Sequence, residues 1–472
     1  MNAILTMSSF IFPLITFPYA SRILLPEGTG KVSFAVSLVS YFLMFAQLGI
    51  PTYGVRACAK VRDNKEELNR TAQELLIINL VMSAVSYAAL FLAIAFVPKL
   101  QAERTLYLAV SLSIIFNTIG MEWLYKALEQ YTYITVRSIA FKIVALIAMF
   151  AFVHTRDDYV AYGVVTILAA SASGIFNFIH AHKYISLKPI GGYHFKRHLK
   201  AVAIFFAMAC ASTIYTHMDT VMLGFLTTDA DVGYYNAAVR IKSILVSIVT
   251  SLGAVLLPRA SYYVEHKLMD EFRRISKKAI NFVFLAAGPL LVYFVLFARQ
   301  GIYFLSGAAY EGSVLPMQII MPTLLFIGLT NIMGIQVLVP MGKEKIVLYS
   351  EIVGAVVDVI CNLILIPKYA AAGAAVSNLV AEAAVLLVQF FALKEEIIPA
   401  FRAVRYCKIL PALLAGIIAS FWVASLQLGS FMILVVSAVL FFAAYGIVLL
   451  VAKEPMVREI FNQVLGKFLK KQ

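Results

Sequence analysis

GKVSFAVSLVSYFLMFAQ, residues 30–47, overlays GYYNAAVRIKSILVSIVT, residues 233–250, at a shift of 203 positions. Gly30 then falls on Gly233, and Arg56 falls on Arg259 further along. The polar positions coincide as well: Ser33, Ser37, Ser40 and Gln47 meet Asn236, Arg240, Ser243 and Thr250. Their spacings of 4, 3 and 7 put each set on one face of a helix. A polar stripe on an apolar helix cannot face lipid cheaply. It faces either neighbouring helices, through hydrogen bonds, or a water-filled cavity.

The rest of the chain is written for a membrane. Of its 472 residues 62% are hydrophobic and 14% charged, with mean hydropathy +0.88. A soluble domain carries roughly 25% charged residues. Apolar runs at 3–24, 32–54, 72–97, 105–125, 136–154, 159–181, 201–224, 234–258, 279–298, 315–340, 346–367, 372–393, 409–427 and 430–452 predict fourteen transmembrane helices. The two copies of the repeat are six helices apart, an even number. Both lobes then share one orientation and are related by an axis along the membrane normal. The expected architecture is an all-α polytopic protein. It has a first lobe at 1–185, a second at 186–395, and a last segment at 396–472 with two further helices and a tail.

The basic residues orient these helices. With the N-terminus in the cytoplasm, inner loops and tail hold 29 of the 39 Lys and Arg, and outer loops hold 7. The net charge of +14 therefore belongs to cytoplasmic loops, and no nucleic acid partner is expected. The first run lacks a basic leader and a small-residue cleavage site, so it is expected to remain as a helix. In the tail Val457, Ile460, Phe461, Val464, Leu465, Phe468 and Leu469 form a stripe between lysines that suits the inner leaflet. Cys58, Cys210, Cys361 and Cys407 form no metal or disulfide pattern. EGTGKVS lacks the first Gly and the final Ser or Thr of a phosphate loop, so it is read as a turn joining helices. No outer loop is long enough for a catalytic domain, and no enzyme activity is expected.

Charges inside the spans are the candidate functional groups. Asp219 lies near the outer end of the seventh span and Arg240 near that of the eighth, at similar depth on a helical hairpin. An unpaired charge in mid-span costs about 2.5–3.5 kcal/mol, so the two are expected to pair. The pair either works in transport or only locks the hairpin. Ser212 and Thr216 share the face of Asp219, whereas His217 lies off it and is expected to be a packing or interfacial residue. Lys242 points away from the Arg240 stripe, and Lys142 is expected to snorkel. A second group is Asp358 with Asn362 and Glu382 with Asn378, each pair four residues apart and placed symmetrically about residue 370. Two carboxylates at one depth cannot both be charged without a cation. They form either a proton or Na⁺ coupling site or a set of structural hydrogen bonds. Glu351 extends the face of Asp358 toward the cytoplasm.

Four segments resemble the lipid-linked oligosaccharide (Wzx-type) flippases of the multidrug/oligosaccharidyl-lipid/polysaccharide exporter superfamily. They are FPLITFPYASRIL with GKVSFA and LGIPTYGVR; EWLYKALEQYTYITVRS; HLKAVAIFFAMACASTIYTHMDTVMLG with VGYYNAAVRIK and LLPRASYY; and LILIPKYAAAGAAVSNLVAEA. The family's usual Gly after Lys-Tyr is Ala370 here. The resemblance implies movement of an undecaprenyl-diphosphate-linked oligosaccharide from the inner to the outer leaflet of the bacterial plasma membrane, for surface polysaccharide such as O-antigen or capsule. It implies alternating access, membrane lipid and other glycan-assembly membrane proteins as partners, and a monomer. By motif position it carries substrate-binding roles onto Arg22, Arg56 and Arg240, with Arg259 a weaker candidate; the alternatives are snorkelling of Arg22 to the outer headgroups and positive-inside anchoring by Arg56 and Arg259. Ser37, Asn236 and Asp219 complete the expected substrate set. No cofactor beyond a proton or Na⁺ is expected. The rivals are a drug/cation antiporter or peptidoglycan-precursor flippase of the same superfamily, and a polytopic glycan polymerase or ligase.

The charge asymmetry predicts both termini in the cytoplasm. Single cysteines at Asp229 and Gly429 should react with a membrane-impermeant maleimide in intact cells, and one at Glu265 should not. Labelling at Glu265 would overturn the orientation.

Overall fold

The computed structural model describes the backbone of residues 2–186, 188–459 and 462, and the side chains of 12–186, 188–251, 253, 256–459 and 462. All its regular structure is helical. Ten helices among the described residues are long and apolar enough to cross a membrane, or twelve if each of two bent pairs is one span. Two of the ten, Phe12–Lys60 and Glu344–Ala392, are 49 residues long. At 1.5 Å per residue each would measure roughly 74 Å if straight, against about 30 Å of hydrocarbon. Both are broken where one residue leaves helical geometry, at Leu25 (φ 58°) and Ala370 (φ 46°). The fourteen crossings read from the sequence need two passes from each, and that count stands as a proposal. The chain divides into two compact units, residues 1–233 and 234–472.

In the first unit the break at Leu25 precedes Pro26, whose ring disfavours helical geometry in the residue before it. A second break follows at Leu48 and Gly49, both in the left-handed region, before the helix Ile50–Lys60. Glycine is required at 49 twice over. Its φ is 71°, and a Cβ there would sit 2.5 Å from the backbone of Phe205. The Lys196–Leu226 helix runs along these segments. Phe34 lies against Gly224, Tyr41 reaches Met218 at 3.8 Å, and Phe45 packs on Phe206 at 5.4 Å between ring centroids. Gly30 and Gly233, the two glycines superposed by the repeat, are packed together, a Cβ on Gly30 falling 2.9 Å from the nitrogen of Gly233. Asp229 there pairs with Lys99 at 3.2 Å and is only 21% exposed, so Gly429 is the cleaner labelling site.

Glu74, which is fully buried, organises the end of this unit where the Lys65–Phe96 helix begins. Its carboxylate accepts from the backbone N–H of His194 (2.6 Å), from Arg197 Nε and Nη2 (2.9 and 2.7 Å) and from His198 Nε2 (2.7 Å). His198 Nδ1 accepts in turn from the Tyr53 hydroxyl at 2.8 Å, the tautomer that a carboxylate acceptor at Nε2 selects. Gln73 adds donors to the carbonyls of Ser186 and Lys188. The connection following residue 181 is thereby tied to the Lys65–Phe96 helix.

In the second unit the Glu344–Ala392 helix folds back at Ala370. A Cβ on Gly373 would lie 2.4 Å from the carbonyl of Leu365, eight residues earlier, which a straight helix holds roughly 12 Å away. The last two helices, Tyr406–Ser420 and Ser430–Val451, enclose an aromatic core of Tyr293, Phe297 and Phe441. Glu454, buried, accepts from Asn281 at 3.0 Å and from the backbone of Val457 at 2.8 Å. Val457 packs with Tyr445 and Leu449. The remaining residues of the tail stripe, Ile460, Phe461, Val464, Leu465, Phe468 and Leu469, lie outside the described side chains.

Two stability tests follow from these contacts. Ala370 holds a φ of 46° with ψ −125°, a conformation open essentially to glycine and costing of order 1–3 kcal/mol elsewhere. Ala370→Gly should raise the melting midpoint of the detergent-purified protein, and a lowered midpoint would refute the strain. Glu74→Ala strands four N–H donors, from His194, Arg197 and His198. Breaking a buried pair costs about 3–5 kcal/mol, and the lower end applies because the Arg197 side chain is 37% exposed. Glu74→Gln should lose less, since it still accepts.

Candidate functional site

The charged and polar residues singled out in the sequence fall into distinct environments. Arg22 is exposed and donates through Nη1 to the Pro18 carbonyl, one turn back, at 2.6 Å. Arg56 on Ile50–Lys60 and Arg259 on Asp229–Glu265 are both exposed. Ser37 is buried, with its Oγ 3.3 Å from Nδ1 of His217. At that position the first copy of the stripe meets a helix, as the hydrogen-bonding alternative requires. His217 is thus more than a packing residue. It faces the stripe, and the face of Asp219 is not the only polar face of its helix.

Asp219 and Thr220 are both buried, while Ser212 and Thr216, on the same face as Asp219, are exposed. Thr216 turns its hydroxyl back to the carbonyl of Ser212 at 2.8 Å, the usual refuge of a hydroxyl on an apolar helix. In the second unit Asn236 and Arg240 are half-buried on the Asp229–Glu265 helix, and Ser243 is exposed. A guanidinium and an amide one turn apart offer planar donors to an anion. Pairing of Arg240 with Asp219 remains a proposal.

The carboxylate–amide group is buried throughout. Asp358, Asn362, Asn378 and Glu382 are 2%, 0%, 6% and 4% exposed. Asn362 donates through Nδ2 to Asp358 Oδ2 at 3.2 Å. Asn378 Oδ1 accepts from Nζ of Lys242 at 3.0 Å. Glu351 departs from expectation. It is exposed, and the buried row that continues from Asp358 toward the start of its helix runs through Gly354 and Ser350 instead. Ser350 accepts there from Gln389 at 3.0 Å.

Sequence reasoning missed two groups. Glu74 sits in TAQELLIINL, where a carboxylate at the start of an apolar run was a readable signal. Its partners Arg197 and His198 lie more than 120 positions away and could not be named from spacing. Lys242 was set aside because it faces away from Arg240, and the structure shows what it faces.

Residues 1–264 match the family described as polysaccharide biosynthesis protein, and residues 203–364 match the family described as MatE. A protein of Escherichia coli (strain K12) described as "Putative O-antigen transporter" is 25% identical over 346 residues, covering 73% of this chain and 83% of the relative. A Shigella dysenteriae protein of the same description is 24% identical over 390 residues, covering 82% and 97%. Among solved structures, the lipid II flippase MurJ in its inward closed conformation aligns with 98% of this chain and 99% of its own, at TM-score 0.72 and 17% identity. An inward-facing multidrug resistance MATE family transporter of the MOP superfamily aligns over 83% and 95%, at TM-score 0.64 and 14% identity. Identities that low speak for the fold, an all-α polytopic membrane protein with the two-lobed architecture of those transporters. With more than half of its length inside the first match, the chain belongs to the polysaccharide biosynthesis protein family.

Proposed function

We propose that this protein is a flippase. It carries a polyprenyl-diphosphate-linked oligosaccharide repeat unit from the inner to the outer leaflet of a bacterial plasma membrane by alternating access, with both termini in the cytoplasm. Two O-antigen-transporter relatives along most of the chain support the substrate class. The observation that carries the reading is the Asn236–Arg240 face of the Asp229–Glu265 helix, with a half-buried guanidinium one turn from an amide. A diphosphate is recognised by planar, fixed N–H donors, and its sugars by amides and hydroxyls. The polyprenyl tail stays in lipid, so no closed channel is needed. A drug/cation antiporter has no use for a cation at that position.

The membrane potential assists this direction. A diphosphate carries roughly two negative charges, and moving both outward across 100 mV, inside negative, gains at most about 4.6 kcal/mol. In the proposed cycle Arg240 holds the diphosphate, and Asp219 holds Arg240 when the carrier is empty. Substrate phosphate competes with the carboxylate for the same guanidinium. Arg22, Arg56 and Arg259, exposed in this structure, serve as contacts at entry and exit.

Flipping is measured as protection of a fluorescent lipid-diphosphate-oligosaccharide from an impermeant quencher in proteoliposomes. Arg240→Ala should lower the rate at least 100-fold, and Arg240→Lys should recover little of it because the fork is lost. Asp219→Asn should bind the lipid at least as tightly yet turn over slowly. Full transport in the charge-swapped protein, Asp219→Arg with Arg240→Asp, would reduce the pair to a structural tie and refute the diphosphate site at Arg240.

A further inference from the structure

Lys242 stands two residues beyond Arg240, about 200° round the same helix. Its half-buried side chain ends with Nζ 3.0 Å from Oδ1 of Asn378. That contact fixes the orientation of the Asn378 amide, because ammonium and NH₂ are both donors and only the carbonyl oxygen can accept. Asn378 is four residues from Glu382, about 6 Å along the helix. On the opposite limb Asn362 donates to Asp358, also four residues away. The fold-back at Ala370 lies twelve residues from each carboxylate and eight from each amide. The two carboxylates therefore sit at one level and the two amides at another, with the ammonium entering at the level of the amides.

All four residues on the hairpin are more than nine-tenths buried. Two carboxylates so placed repel each other and are both desolvated, and they stay charged only where positive charge is close. A metal ion is one source of such charge, and a lysine already inside the group is another. We propose that Lys242 is the built-in counter-cation of the Asp358–Glu382 pair, delivered to it by Asn378, and that it supplies the charge a bound Na⁺ would otherwise have to bring. The neutral amides act as positioning residues: one turns the ammonium inward and the other holds a carboxylate oxygen. The consequence for coupling rests on the transport reading above, since only a transporter needs a coupling ion. The charge pairing does not rest on it.

The test uses melting midpoints of the full-length protein in detergent, in 100 mM NaCl and in 100 mM choline chloride. Lys242→Gln keeps a donor for Asn378 and removes the charge. Lys242→Met removes both. Each should lower the midpoint by about 5–10 °C. Adding Glu382→Gln or Asp358→Asn to Lys242→Met should restore most of the loss, because one carboxylate fewer then needs a partner. Lys242→Met alone should gain stabilisation in NaCl over choline chloride that the unmodified protein lacks. If Lys242→Met does not fold, the double variants still decide, since only charge pairing lets neutralisation of a carboxylate recover expression. The proposal is overturned if Lys242→Gln melts with the unmodified protein, or if neither carboxylate change recovers Lys242→Met. It is overturned equally if the unmodified protein is itself stabilised by Na⁺ and loses this with Glu382→Gln. None of these readouts involves flipping, so a failed transport assay and a failed charge test are told apart.

Discussion

A charge buried in an apolar helix bundle must find its opposite, or a set of donors, within the protein, because no water is there to solvate it. Much of the polar architecture of this chain follows from that constraint. Glu74 is buried and gathers Arg197, His198 and a backbone N–H. Glu103 takes Lys31 at 2.9 Å and the Tyr159 hydroxyl at 2.7 Å. Asp229 takes Lys99, and Glu454 takes Asn281. Each of these contacts joins segments distant in sequence, so each fixes helix packing as well as charge. Between apolar helices in lipid there is little hydrophobic driving force, and such polar ties carry more of the specificity than they would in water.

The backbone obeys the same rule. A chain that reverses inside or near the hydrocarbon cannot leave many N–H and C=O groups unpaired, so its turns are kept short. Here the reversal in the second unit takes one non-helical residue, Ala370, and the break in the first takes Leu25. Both residues have positive φ without being glycine. The family's usual glycine at the position of Ala370 has a physical reason in that geometry. Keeping alanine there retains strain that the packed limbs on either side hold in place.

The apolar runs, the 203-residue repeat and the polar stripe were legible because they depend only on period and composition, which are local. Ser37, Asp219, Asp358, Asn362, Asn378 and Glu382, singled out for the same reason, are all buried, and the roles read for them stand as proposals. What each one touches was not legible. His217 and Lys242 were read by helical angle as lying off the working faces, yet an angle says nothing about which helix occupies the other side. Glu351 and Ser350 illustrate the reverse error. Angle alone favoured the charged residue, and packing buried the serine. The break at Leu25 falls between the runs read at 3–24 and 32–54, whereas the break at Leu48 and Gly49 escaped notice because an apolar run reads the same whether or not it is interrupted.

The Asp229–Glu265 helix carries two cations two residues apart and facing different ways, and that arrangement limits how a cycle can work. On the proposed reading Arg240 answers to the substrate anion and Lys242 to the carboxylate hairpin. Both are fixed to one rigid rod, so a rotation or shift that changes the surroundings of one changes those of the other. Coupling between an ion-balanced site and a substrate site then needs no relay of side chains. It needs only that the helix have two positions and that the two charges prefer different ones. A lysine bound to the protein suits this role better than a soluble ion, because it cannot leave. Its one positive charge offsets one of the two carboxylates, more closely in one position than in the other, and the substrate shifts which of them is occupied.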